Sequence, residues 1–156
     1  MKNILIGEGL GKILFGMTRE EVKKIWGQPD EIDSYTSSEL ENDNTEAYHY
    51  DEHEVSLSFD ELDDWRLNTI AVSDPEVVLE GLKLIGCSDD ELLAKISILD
   101  IGEYEREDIS SPEIPDHEVI SFYDVNLNFW LENGVVTEIQ FDPIWEDEEE
   151  DEVNEN

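Results

Sequence analysis

Gly16-Met17-Thr18-Arg19-Glu20-Glu21-Val22 and Gly86-Cys87-Ser88-Asp89-Asp90-Glu91-Leu92, 70 residues apart, follow one plan. Thr18 and Ser88 suit a helix N-cap, because a short side-chain oxygen there can accept from an amide in the first turn. Glu21 and Glu91 stand three residues on, where a carboxylate reaches back to the cap amide and closes a capping box. Val22, Ile25 and Trp26 then share one face at helical spacing. Gly27-Gln28-Pro29-Asp30 ends the first helix, since Gly suits the exit and Pro cannot continue it.

Outward from these helices the period changes from helical to two. Tyr48 to Tyr50 and Val55-Ser56-Leu57-Ser58-Phe59 alternate apolar and polar, as half-buried strands do, and Leu67 to Val72 is a third strand. Thr36 to Glu46 is polar and predicts a loop. In the second half, Val125-Asn126-Leu127-Asn128-Phe129 matches Val55 to Phe59 at the same offset of 70. Glu132-Asn133-Gly134-Val135 is a hairpin turn with Asn-Gly at its centre. Ile139-Gln140-Phe141-Asp142-Pro143 matches Ile70 to Pro75 with a slip of one or two residues. The pattern predicts an α+β fold of two tandem repeats, each a short helix plus an antiparallel β-meander. Residues 1–75 and 76–145 form the repeats, joined in a curved sheet with the helices on one face. Residues 146–156 form an acidic tail, expected to be disordered.

Charge dominates the composition. Asp plus Glu number 43 against nine Lys plus Arg, a formal net charge of -34. Eight of the acids lie in the tail, which leaves 35 against nine, a net of -26, on the remainder. Self-repulsion of that size costs stability, so it points to a surface shaped for a basic partner rather than to solubility alone. The same sign disfavours direct contact with nucleic acid or an anionic membrane. The single cysteine, Cys87, excludes an internal disulfide and fits a reducing cytoplasm. The N-terminal residues lack the apolar run and cleavage site of a signal peptide, and no stretch approaches the roughly 20 apolar residues of a membrane span.

The run Gly16 to Val22, followed by Trp26-Gly27-Gln28-Pro29-Asp30, resembles the helix of the small bacterial outer-membrane assembly lipoproteins of the SmpA/OmlA type. The doubled arrangement is similar to the beta-lactamase-inhibitor protein, which is built from two such units. That resemblance implies a binding module whose sheet face covers another protein's active site. Small acidic cytoplasmic proteins of this kind also look similar to bacterial immunity proteins. Without the lipid-bearing Cys and signal peptide of the lipoproteins, an envelope role is disfavoured.

No catalytic set, metal site or cofactor is expected. Cys87 aligns with Met17 and reads as a packing residue. His49 and His53 are four apart but in a strand-like stretch, so they are not a helical metal pair. Gly7 to Lys12 has the wrong spacing for a phosphate loop and reads as a turn, and Asp147 to Asp151 lacks the alternating ligands of a calcium loop. The expected function is an immunity protein that occludes a basic toxin, such as a nuclease. The alternatives are a DNA mimic aimed at a DNA-binding or restriction protein, and a non-catalytic envelope or scaffold protein. The expected contact surface is the sheet face that carries Trp130, Asn126 and Asn128, outward by alternation. Trp65 joins it, with Glu61, Asp63 and Asp64 as charges that attract basic residues.

Overall fold

The computed structural model describes residues 2–36 and 44–144. The tail expected at 146–156 lies outside the described residues. Helices α1 (Arg19–Trp26) and α2 (Asp89–Ile96) start at the two capping boxes. The Thr18 and Ser88 amides donate to Glu21 and Glu91 at 2.9 and 3.0 Å, and the Glu21 and Glu91 amides donate back at 3.2 Å. Gly27 ends α1 with φ of 82°, a conformation that glycine adopts without a Cβ penalty. The Tyr50 hydroxyl donates to the Gly27 carbonyl at 2.8 Å and so ties the helix exit to the sheet. Burial first, then Tyr48 and Asp30, push its pKa up to about 12.

The remaining structure is mostly strand. In chain order the strands are β1 (Asn3–Leu5), β2 (Gly9–Leu10), β3 (Ile13–Leu14), β4 (Glu31–Thr36), β5 (Asn44–Tyr50), β6 (Val55–Asp60) and β7 (Arg66–Val72). They continue as β8 (Val78–Leu79), β9 (Leu82–Lys83), β10 (Glu105–Asp108), β11 (His117–Phe122), β12 (Leu127–Glu132) and β13 (Val135–Phe141). An eight-stranded antiparallel sheet has the order β10-β11-β12-β13-β7-β6-β5-β4. A second, five-stranded sheet has the order β3-β2-β1-β8-β9, with β1 and β8 parallel. The fold is thus α+β with two sheets. The second sheet was not legible in the sequence, because strands of two or three residues are too short to display alternation. β10 is likewise hidden, because all four of its residues are charged and show no apolar alternation. Among the described residues, no helix is long and apolar enough to cross a membrane.

The pairing corrects the sequence alignment of the two halves. Val55 faces Val72 and Leu127 faces Phe141, so an alignment of the two halves by ladder pairing sets Leu127, not Val125, against Val55. The offset there is 72. Val125 ends a 3-10 turn (Tyr123–Val125), and Asn126, at φ of 52°, leaves it before the strand begins. A slip of two preserves a period of two, so the inward and outward assignment of the strand survives. Farther on, the five residues Glu61 to Trp65 between β6 and β7 correspond to only Asn133 and Gly134 between β12 and β13. This brings the offset down to 69. Both turn residues there have positive φ, as a two-residue hairpin of this type requires.

One core serves both sheets and both helices. Leu57, Phe59, Ile70, Phe129 and Phe141 of the large sheet cluster with Val22 of α1 and with Leu92 and Ile96 of α2. Ile4, Leu10, Ile13 and Leu79 of the small sheet join the same cluster. Truncating Phe129, which has no exposed surface, should cost about 3–5 kcal/mol. Thr18→Ala should cost about 1 kcal/mol, the loss of one cap. Urea midpoints of the two variants check the ranking, and equal losses would contradict a shared core.

Candidate functional site on the polar face of the large sheet

Alternation along each strand sends apolar side chains to the core and leaves the other face polar. One row crosses the sheet through the ladder partners Glu105, Ser121, Asn128, Gln140, Ala71, Ser56, His49 and Glu31. Register places the carboxylates of Glu31 and Asp33 (β4), Asp60 (β6), and Glu105 and Glu107 (β10) on this face. Glu132 of β12, and Glu138 and Asp142 at β13, join them. Arg66, opposite Asp60 at the start of β7, is the one Lys or Arg that the register assigns to it among the described strands. Its guanidinium donates to the Gly16 carbonyl at 2.9 Å. Among the described residues none of these eight carboxylates forms an ion pair with Lys or Arg. The cations are engaged elsewhere, as in Arg19–Glu46 at 2.9 Å and Arg106–Asp89 at 2.8 Å.

Two of the eight are half-buried near the sheet centre. Burial, and secondarily Glu132, pushes the Glu138 carboxyl above its ordinary range, and His117 pulls it partly back. Burial also raises Asp142, with Asp60 adding to the effect and Thr69 opposing it. Oδ1 of Asp142 is buried with no hydrogen-bond partner among the described residues. The same holds for Nε1 of Trp130, whose residue pairs with Glu138 across the β12–β13 ladder. The His117 ring lies 5.7 Å from the Trp130 ring.

A hydrogen-bonded relay, Ser56–His49–Asp33, also lies on this face. His49 Nδ1 is 2.7 Å from Ser56 Oγ, and Nε2 is 2.9 Å from Asp33 Oδ2. With the ring proton on Nε2 toward the carboxylate, Nδ1 accepts from the serine hydroxyl. That is the order of groups in an activated nucleophile. Acyl transfer also needs amides aimed at a developing oxyanion. Ser56 sits between ladder partners on both sides, His49 and Ala71, and a central-strand amide is engaged in its ladder. The relay as built fixes the His49 ring on the sheet.

The structure brings together part of the expected contact set. Trp130 and Asn128 lie on the polar face, in β12. Glu61, Asp63 and Asp64 gather in the turn after β6, where Glu61 and Asp63 accept from Asn44 and Asn68 at 2.7 and 2.9 Å. Trp65 instead packs against the core, with the Arg19 guanidinium 4.5 Å over its ring. Asn126 sits in the left-handed turn residue and donates to the Pro143 carbonyl at 2.9 Å, so the expected strand position for it is corrected. Glu138, Asp142, His49 and Asp33 were missed, although Ile139-Gln140-Phe141 alternates clearly enough to send Glu138 outward. Cys87 is buried, and Lys95 Nζ lies 3.3 Å from its sulfur. Comparison with family models, with characterised proteins and with solved structures found no match.

The carboxyl shifts set a pH profile. For Glu138 and Asp142, raised in the fold, the stabilisation is complete below the ordinary values of 4.5 and 3.8 and is lost as pH rises through the folded values. Asp74 goes the other way. Burial opposes its ionisation, but the Lys2 ammonium at 2.8 Å and the Glu76 amide outweigh it. Its contribution is present above 3.8 and is lost as pH falls. Thermal melting should therefore show higher stability just above pH 4.5 than near neutrality, then a fall below 3.8. Glu138→Gln should flatten the upper limb, and an unchanged limb would contradict the assignment.

Proposed function

We propose that the chain is an acidic binding protein that captures a basic partner protein, a cognate toxin, and occludes its active site in the manner of an immunity protein. The observation that carries this reading is the set of eight carboxylates on one sheet face with no Lys or Arg ion pair among the described residues. Fixed charge of one sign on a wide surface speeds encounter with a partner of the other sign and rejects like-charged surfaces. Catalysis has less support, since the Ser56 amide beside the relay is engaged in its ladder.

The same reading includes two copies of a helix-plus-meander unit, with the helices on one face of a curved sheet and the other face turned to the partner. Recurrent backbone bonds support it. The Gly16 and Gly86 amides donate to the Leu67 and Val136 carbonyls, and the Leu67 and Val136 amides donate to the Met17 and Cys87 carbonyls. A reducing cytoplasm, where a cognate toxin would have to be held inactive, is the proposed location.

Low-salt capture from the producing cells, followed by activity assays on what is captured, tests the function. The expected result is a basic protein whose activity is abolished at a 1:1 ratio. Its affinity should fall about tenfold or more between roughly 50 and 300 mM salt, as screening predicts. A fluorophosphonate probe should leave Ser56 unlabelled. Capture of no basic protein, or labelling of Ser56, would sink this reading.

A further inference from the structure

We propose that the basic partner docks on the polar face of the eight-stranded sheet and seats an arginine or lysine side chain against Glu138, in the groove that Glu138 shares with Glu31 and Asp33. This rests on the basic-partner reading and adds the place of contact.

Three observations converge on that groove. A pocket of about 480 Å³ opens between the β4–β7 strands and β13. Five carboxylates line it, Glu31, Asp33, Asp51, Glu54 and Glu138, and no Lys or Arg does. Glu138 closes one side of this pocket and on its other side pairs with Trp130. Glu138 has also lost part of its hydration without gaining a cation in exchange, which raises its pKa. A guanidinium from outside would restore what burial removed, by a charge-assisted hydrogen bond.

Charge complementarity selects the occupant. Nucleic acid, an anionic membrane and a second copy of a chain with net charge -34 all bring like charge to this face. Among the described residues no three His, Cys, Asp or Glu side chains are placed to hold a metal ion. A protein surface that presents Arg or Lys fits both the sign and the pocket.

The test titrates the full ¹⁵N-labelled chain with a nona-arginine peptide at low salt. The four tryptophans give separate indole signals, and that of Trp130 should shift, with the amides of Glu138, Ala71 and Ser56. Glu138→Gln should weaken binding about tenfold, a larger loss than one charge at the surface gives. It removes a half-buried charge, so the variant should fold at least as stably as the parent. Glu80→Gln, an exposed carboxylate in the β8–β9 turn, should change affinity less than twofold. If Glu80→Gln and Glu138→Gln lose equally, or the shifts cluster off this face, the docking site is overturned and the basic-partner reading stands. If the peptide does not bind, or a DNA duplex binds in its place, both are overturned.

Discussion

The antiparallel pairing of β7 with β13 is the contact on which the rest depends. Only three residue pairs form it: Ile70 with Phe141, Ala71 with Gln140, and Val72 with Ile139. The inward members are fully buried and tie the two four-stranded meanders to a single core. Without this ladder each meander would present a further bare edge, and a sheet of four strands with one short helix leaves much apolar surface uncovered. The small sheet repeats the arrangement on a lesser scale, with β1 from the first half parallel to β8 from the second. The outward members of the β7–β13 ladder, Ala71 and Gln140, are small or uncharged. The middle of the polar face therefore carries an uncharged pair, with Glu138 of β13 and Asp142 just beyond its end to either side of Gln140.

Where the few cations sit explains how such an acidic chain holds together. Glu46 of β5 and Glu118 of β11 each stand on the strand next to a sheet edge, and each is linked to the first turn of a helix. In the first half Arg19 of α1 bonds Glu46 directly at 2.9 Å. In the second half the helix offers Asp89 instead, and Arg106 of β10 bridges Asp89 and Glu118. The acid stands on the strand next to the edge in both, but the cation comes from a different element. Lys2–Asp74 and Lys83–Glu76 similarly tie the chain between the small sheet and the loop before it. These are partly exposed pairs that contribute little individually. Their effect is to spend the cations away from the polar face.

Much of the helix and strand layout was legible in the sequence, because capping boxes and strict alternation are local signals. Thr18, Glu21, Ser88 and Glu91 act as their spacing predicted. The face of Trp130 was also right, even though its strand was aligned two residues out of register, since alternation tolerates an even slip. What stayed hidden depends on contacts far apart in sequence. Trp65 reads as core or, if exposed, as an anchor among acids; it packs against the core, with the Arg19 guanidinium 4.5 Å over its ring. His49, Asp33 and Ser56 meet only because β4, β5 and β6 are neighbours. The importance of Glu138 among 43 acids lies in its burial, which composition cannot reveal.

Half-buried acids on a face with few cations oppose folding at neutral pH, as their raised pKa values indicate. Replacing Glu138 and Asp142 by neutral residues of similar size would relieve that cost without disturbing the core, so stability alone does not account for them. The cost disappears when an external cation approaches, because the same low-dielectric surroundings that penalise the lone carboxylate strengthen its attraction for a positive charge. Surface acids in full solvent would attract a partner from a distance yet gain little on contact, since water screens them before and after. A carboxylate already stripped of part of its water has more to gain at the moment of contact. On the proposed reading, the exposed carboxylates at the sheet edges would serve encounter and Glu138 would serve retention.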